Sequence, residues 1–370
     1  MTGTANRSTT RRIRAALSAA VAACAVTAVL PGATAAASAA AAADSPGIER
    51  ISVASDGTQG DARSADAAIS PDGRRVVFSS AAQNLTSDIP STGDKVYVRD
   101  RRTSHTQRMG HLAPTEPPTI SGDGDYISYS HEWMGNVRIR QYELAMGRSI
   151  SGNCSLFSCS QPSLSTDGGL IAQISVSYRQ QTYGQRVEVE ERRTGTLKTI
   201  ATFSHTKPSR PSMSGDGRYV AYQDAEAGDV FVHDRTTGTT SAPVEGPSQQ
   251  ASLLQLSEDG SKLVYLSGTD TYVHDVSAGT RQLVPDVRGV AIDPTGRYLL
   301  YAPHDAADGP SLVLRDLRTG TDETVATQPA AAGTDAVSAG GRDVVFHSAA
   351  DDLVPDDTNG ASDIFVRRFY

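Results

Sequence analysis

The chain has 370 residues and a formal net charge of −8, with 38% hydrophobic residues, 33 glycines and 18 prolines. Its length suits one large domain or two ordinary ones, and its glycine and proline content promises many turns. The first 43 residues hold four arginines and no acid, so the remainder carries thirty Lys+Arg against 42 Asp+Glu, a net charge of −12. A chain that acidic is not expected to bind nucleic acid or an anionic membrane through its overall field.

Arg7, Arg11, Arg12 and Arg14 precede an apolar run over residues 15–30, then Pro31, Gly32 and small residues as far as Ala43. A basic segment, an apolar segment and a small-residue zone make residues 1–43 a secretory signal peptide, cut between Ala35 and Asp44. The apolar run is short for a membrane span, and nothing later in the chain approaches one. Val21-Ala22-Ala23-Cys24 resembles a lipoprotein cleavage box, which would anchor the chain to a membrane through Cys24. The apolar run continues past it to Leu30, however, which fits ordinary cleavage and release better. Arg11-Arg12 supplies only the arginine pair of a twin-arginine signal.

Residues 44–370 say one phrase seven times. "SPDGRRVVFS" begins at Ser70, "SGDGRYVAYQ" at Ser214 and "SEDGSKLVYL" at Ser257. Alignment on the glycine gives Gly73, Gly124, Gly168, Gly217, Gly260, Gly296 and Gly341, about 45 residues apart. Five residues on stand Phe78, Tyr129, Gln173, Tyr222, Tyr265, Tyr301 and Phe346, aromatic in six of seven copies. Two residues before those, and four before the glycine, every copy is apolar, from Val76 and Ile69 in the first to Val344 and Val337 in the last. Each copy reads as four strands. One ends at the apolar column, a second follows the Asp-Gly turn, a third alternates with period two ("KVYVRD", "DVFVHD"), and a fourth follows "DRTTGT"-type turns. Four antiparallel strands at this period predict an all-β, seven-bladed β-propeller over residues 44–370. The last copy stops after its third strand, "DIFVRRFY". Its missing strand stands at the front as "IERISVAS", residues 48–55, so the two ends share the seventh blade and close the ring.

These copies resemble the WD40-like (PD40) repeats of TolB-like β-propellers, on the strength of Ser70-Pro71-Asp72-Gly73 and its variants. The resemblance covers nearly all of residues 44–370 and implies the fold. TolB also carries an α/β domain ahead of its propeller, and only about twenty residues separate the signal peptide from the first inner strand here. A Tol-type envelope role is therefore not expected. Some TolB-like propellers are metal-dependent lyases of pectin fragments with histidines around the central channel. Here the histidines are scattered, and His233 and His274 share a third-strand position with Arg99, Arg140, Arg315 and Arg367, which reads as a solvated polar position.

The turn phrase itself reads as scaffold. No Gly-x-Ser-x-Gly occurs and no hydrolase domain follows, so no catalytic constellation is found and the expectation is a binding module rather than an enzyme. An acidic stretch over residues 351–363, including Asp351, Asp356, Asp357 and Asp363, invites calcium. It lacks the EF-hand spacing and parallels the long second-to-third-strand loop of the first copy, anchored by Leu85 and Leu353, so no cofactor is assigned. Distances from the aromatic column to the third strand run from 6 to 18 residues, while the other turns are short. Variable loops confined to one face mark the surface where a partner binds and leave the turn face uniform. On the variable face lies "HEWMG", with Trp133 flanked by His131, Glu132 and Met134 as candidate partner-binding residues. Cys154 and Cys159, five apart in an exported chain, are expected to form a local disulfide. The sequence thus points to a secreted propeller that binds a protein partner. The alternatives are a carbohydrate-active enzyme or glycan-binding propeller with its site at the channel mouth, and a structural cell-envelope protein.

Overall fold

The computed structural model describes residues 47–88, 92–179, 182–204, 208–244, 250–304 and 309–370. Residues 1–43, read from the sequence as a signal peptide, and Cys24 within them lie outside the described residues. The described chain forms seven four-stranded antiparallel sheets. In six of them the strands follow chain order from the inner to the outer edge, the first being Ser64–Ile69, Arg75–Ser80, Lys95–Asp100 and His105–Arg108. The seventh takes Ala330–Ala331, Asp343–Ser348 and Asp363–Arg368 from the end of the chain and Gly47–Arg50 from its beginning.

Closure is as the repeat count requires, with Gly47 opposite Arg368 and Arg50 opposite Phe365. The closing strand is shorter than residues 48–55, because the chain leaves the sheet after Arg50. Ile51 still donates its N–H to Ile364 O (2.7 Å), and the Ser52 hydroxyl bonds the buried Asp363 carboxylate (2.5 Å). The backbone then crosses to the first blade, where the Thr106 hydroxyl donates to Val53 O (2.6 Å) and Arg99 donates to Ala54 O (3.0 Å).

The repeated phrase builds one turn each time. The Ser70 hydroxyl donates to Asp72 Oδ1 (2.6 Å) and accepts from the Arg75 N–H (2.9 Å), while Gly73 N–H returns to Ser70 O (2.8 Å). Gly73 has φ 72°, and a Cβ there would collide with Asp343 of the neighbouring blade, so conformation and crowding both demand glycine. Second-strand aromatics stack on the third-strand residue directly opposite. Phe78 meets Tyr97, Tyr265 meets Tyr272 and Phe346 meets Phe365, at centroid distances of 5.9, 5.3 and 5.8 Å. Together with aliphatic neighbours they bury the faces between blades.

Candidate functional site

An up-and-down blade puts its first and third turns on one face of the disk. Its second-to-third-strand loop and the connection to the next blade lie on the other. The Trp133 region is on the loop face, and its strands are longer than the sequence suggested. The second strand of blade two runs through Tyr126–Trp133, turns at Met134-Gly135 and returns as Asn136–Glu143. Met134 (φ 49°) and Gly135 (φ 75°) are both left-handed, the geometry of a tight two-residue hairpin. Trp133 is therefore a strand end and not a loop residue. It is 50% exposed and Met134 is 85% exposed, with Glu132 also on the surface. His131 is only 2% exposed, its ring 6.2 Å from that of Tyr129. Its Nδ1 faces Glu132 O (3.2 Å), its Nε2 has no hydrogen-bond partner among the described residues, and burial lowers its pKa and keeps the ring neutral. Of the four candidates, Glu132, Trp133 and Met134 are exposed and His131 is buried.

Cys154 and Cys159 form the expected disulfide, with Cα atoms 5.5 Å apart. The small loop they close shows Phe157 at 39% exposure and is tied to two blades. Arg138, on the returning strand of the Trp133 hairpin, donates to Phe157 O, and the Val137 N–H donates to Ser158 Oγ (3.2 Å). From the third blade, Glu190 accepts the Asn153 N–H (3.0 Å), Gln173 donates to Asn153 O (2.7 Å), and Glu188 accepts from the Ser155 hydroxyl. Glu188 and Glu190 are 0% and 1% exposed. Arg192 pairs with Glu190 at 2.6 Å, and the Ser175 and Thr199 hydroxyls donate to Glu188 at 2.6 and 3.3 Å. Trp133, Met134 and Phe157 are therefore presented from a pinned hairpin and a pinned loop.

Among the inner strands, toward the turn face, lies a cavity of about 60 Å³ with room for a few waters. Inside it Asp335, at φ 60°, accepts from Gln255 Nε2 (2.8 Å) and the Thr119 hydroxyl (3.2 Å). At the turn-face end Glu258 holds the place that Pro71 and Pro294 hold in blades one and six. It accepts from the Thr166 hydroxyl and fills the space that a Cβ on Gly122 or Gly215 would need. Burial raises its pKa, and Asp335 and Asp123 add to the rise. Backbone bonds run from blade to blade around it, including Thr166 N to Gly215 O (2.8 Å), Gly215 N to Glu258 O (2.6 Å) and Asp259 N to Pro294 O (3.0 Å). Glu258 thus stops the channel on that side. Toward the loop face stand Asp66 (φ 54°), Gln161 (φ 58°) and Glu116, which accepts from the Ser130 hydroxyl and the Gln161 N–H, both at 2.9 Å. His347 is half-buried nearby, its pKa lowered by burial against the opposing pull of Asp66.

In the acidic loop over residues 351–363, the Asp357 and Asp363 carboxylates are held by protein donors. Gln59 Nε2 bridges Asp357 (2.8 Å) and Asp363 (2.7 Å), Asn359 donates to Asp363 (3.1 Å), and Arg50 lies 3.3 Å from Asp357. Leu85 anchors the corresponding first-blade loop at 1% exposure, and Leu353 is half-buried. No group of three or more potential metal ligands gathers among the described residues. Two members of the shared Arg/His column correct the sequence reading, since Arg99 and His233 are each only 6% exposed, while Arg140, His274, Arg315 and Arg367 are partly exposed. Arg99 is spent on Ala54 O, Ser104 O and Thr106 Oγ1, and His233 meets Thr240 Oγ1 at 2.9 Å. Among the described residues no helix is long and apolar enough to cross a membrane.

No protein-family model matches the sequence, and no curated protein does. Among solved structures, an oligogalacturonate lyase in complex with manganese matches with a TM-score of 0.63 and 13% identity, covering 87% of this chain and 93% of that one. The oligogalacturonate lyase of Vibrio parahaemolyticus matches with a TM-score of 0.61 and 12% identity, over 88% and 97%. TolB from Acinetobacter baumannii matches with a TM-score of 0.46 and 15% identity, over 71% and 64%. The lyases correct the expectation that the chain is not an enzyme, because chains of this same architecture are catalysts. A propeller assembles its channel from single residues on separate blades, so the lack of a contiguous catalytic motif was no ground for setting catalysis aside. At these identities the likeness is one of fold: the chain is a seven-bladed propeller of the kind seen in the oligogalacturonate lyases.

Proposed function

We infer that the chain is an exported propeller that binds a protein partner through its loop face, with Trp133 and Met134 as the anchor and Phe157 beside them. The observation that carries this reading is the exposure of a tryptophan and a methionine at the tip of a tight hairpin braced by a disulfide-closed loop. Large apolar side chains held rigid on a surface lose little entropy on binding, which is the character of interface hot spots. Trp133→Ala combined with Met134→Ala is expected to abolish enrichment of the partner from an envelope extract. The melting temperature should stay within a few degrees of the parent, since both side chains are largely in water. A large drop in melting temperature, or undiminished enrichment, would remove this surface from the function.

A second reading is favoured by the likeness to the lyases: action on an acidic oligosaccharide at the loop-face mouth of the channel, where Asp66, Glu116 and half-buried His347 stand. It is tested by incubating the purified protein with oligogalacturonate, with and without manganese, and following formation of the unsaturated product. Activity abolished by His347→Ala would favour this second reading over the first.

A further inference from the structure

The turn face, expected to be uniform, carries a groove of about 460 Å³ between blades five and six. Lys262, Asp275 and Arg281 line it from blade five, and Arg297, Leu317 and Arg318 from blade six. In blades one, three and four the residue after the last acid of the third strand is an arginine. Arg101 reaches Gly73 O (2.6 Å), Arg192 reaches Gln141 Oε1 (2.9 Å) and Arg235 reaches Gly217 O (2.5 Å). Blades two, five and six have the shorter Leu144, Val276 and Leu317 there instead. In blade six Leu317, with Val273 of blade five, gives the cleft an apolar lining.

Four cationic side chains surround the opening against one carboxylate of its own lining. Lys262 pairs with Asp275 (2.6 Å), and Arg297 pairs with Asp316 (2.5 Å), which stands behind it. Two positive charges remain after both acids are counted, on a chain whose net charge is −8. Arg318 is exposed, and its guanidinium has no partner among the described residues. Such a rim repels cations, and the Arg318 guanidinium offers a planar donor fork that matches an oxyanion in a bidentate way. The volume falls within the range of small-molecule sites, roughly 300–1,000 Å³.

We propose that this groove binds a small organic anion, its carboxylate, phosphate or sulfate group held by Arg318 with Arg281 and Arg297, and its body lying on Leu317 and Val273. Calorimetric titration of the full exported chain with citrate, inorganic phosphate and sulfate, at ionic strength fixed with sodium chloride, tests it. At least one probe is expected to bind saturably with a Kd at or below about 1 mM, and the order of the three tells which acid group the groove prefers. Arg318→Gln should weaken that binding about tenfold, the loss of one charge-assisted pair. Leu317→Arg should abolish it by filling the cleft as Arg101 and Arg235 do in their blades. Both variants should melt within a few degrees of the parent in the absence of a probe. The assignment is overturned if none of the three probes saturates, or if both variants bind as tightly as the parent.

Discussion

Blades three and seven share one topology and have opposite interiors. In the seventh, Phe346 and Phe365 face each other across the second and third strands, 1% and 0% exposed, within the largest apolar cluster described. In the third, the same two positions hold Gln173 and Glu188, directly paired and both 0% exposed. Gln173 Nε2 donates to Asn153 O beside the disulfide loop, while its Oε1 has no hydrogen-bond partner among the described residues, and Glu188 accepts from the Ser155, Ser175 and Thr199 hydroxyls. The repeat therefore specifies strands and turns, while the filling of a blade is free to change from stacked rings to hydrogen bonds. It changes where an irregular loop must be held.

The sharpest way to break this comparison is at the closure. Deleting residues 363–370 removes Ile364, Phe365 and Val366, each 0% exposed. At about 1.5–3 kcal/mol for each buried side chain, the loss approaches the roughly 5–15 kcal/mol that holds a typical domain. The truncated chain should be insoluble or melt without cooperativity. A soluble, cooperative truncation would show that the seventh blade is dispensable.

Single substitutions come next. Phe365→Ala should cost about 3–5 kcal/mol in denaturant titration. Glu188→Ala should cost about 1–3 kcal/mol, because it leaves the buried Ser175 hydroxyl without its acceptor. Installing the seventh blade's solution in the third, Gln173→Tyr with Glu188→Phe, should keep stability within about 2 kcal/mol of the parent. It should nevertheless expose residues 153–158 to proteolysis. If that loop stays as protected as in the parent, the polar pair is not what holds it.

A smaller effect is expected for Cys154→Ala with Cys159→Ala. The chain-entropy estimate for so short a loop is about 2 kcal/mol. The measured loss should fall below it, since Glu188 and Glu190 still grip Ser155 and Asn153; a larger one would give the disulfide the main share. The smallest effect concerns Glu258, which has the Thr166 hydroxyl as donor where Glu188 has three hydroxyls. Its pKa is raised in the fold, chiefly by burial. Its favourable contribution is therefore complete below the ordinary carboxyl range and lost as pH rises through the folded value. Glu258→Gln should match the parent below about pH 4 and melt a few degrees higher at neutral pH. Equal melting curves at both pH values would mean that the carboxyl is not strained.

The strand framework was legible because each blade repeats three columns whose period and turn chemistry leave one architecture. Gln173 was visible as the exception to the aromatic column, but its partner was not. Glu188 sits in a plausible alternating strand, "RVEVEE", and only the register places it opposite Gln173. Trp133 was legible as exposed but not as a strand end, since Met134 is an unusual residue for a left-handed turn. Glu258 reads as one of several replacements for proline. Its role as a stopper depends on Gly122 and Gly215, brought to it by ring closure. The groove on the turn face was hidden for the same reason, because its lining comes from two blades brought side by side.

The shared seventh blade also sets an order of events. Residue 47 pairs with residue 368, so the last sheet forms only when nearly the whole chain has been made. Loop-closure entropy rises slowly with length, about 0.6 kcal/mol for each doubling, so the thermodynamic cost of this design is modest. The kinetic cost is larger, because pairings distant in sequence form late and slowly. Until then Gly47–Arg50 has no strand to pair with, and six blades stand as an open arc with two exposed edges. A chain that leaves its compartment of synthesis from its N-terminal end would meet the outside in that state, and its window for misassembly closes with the last strand.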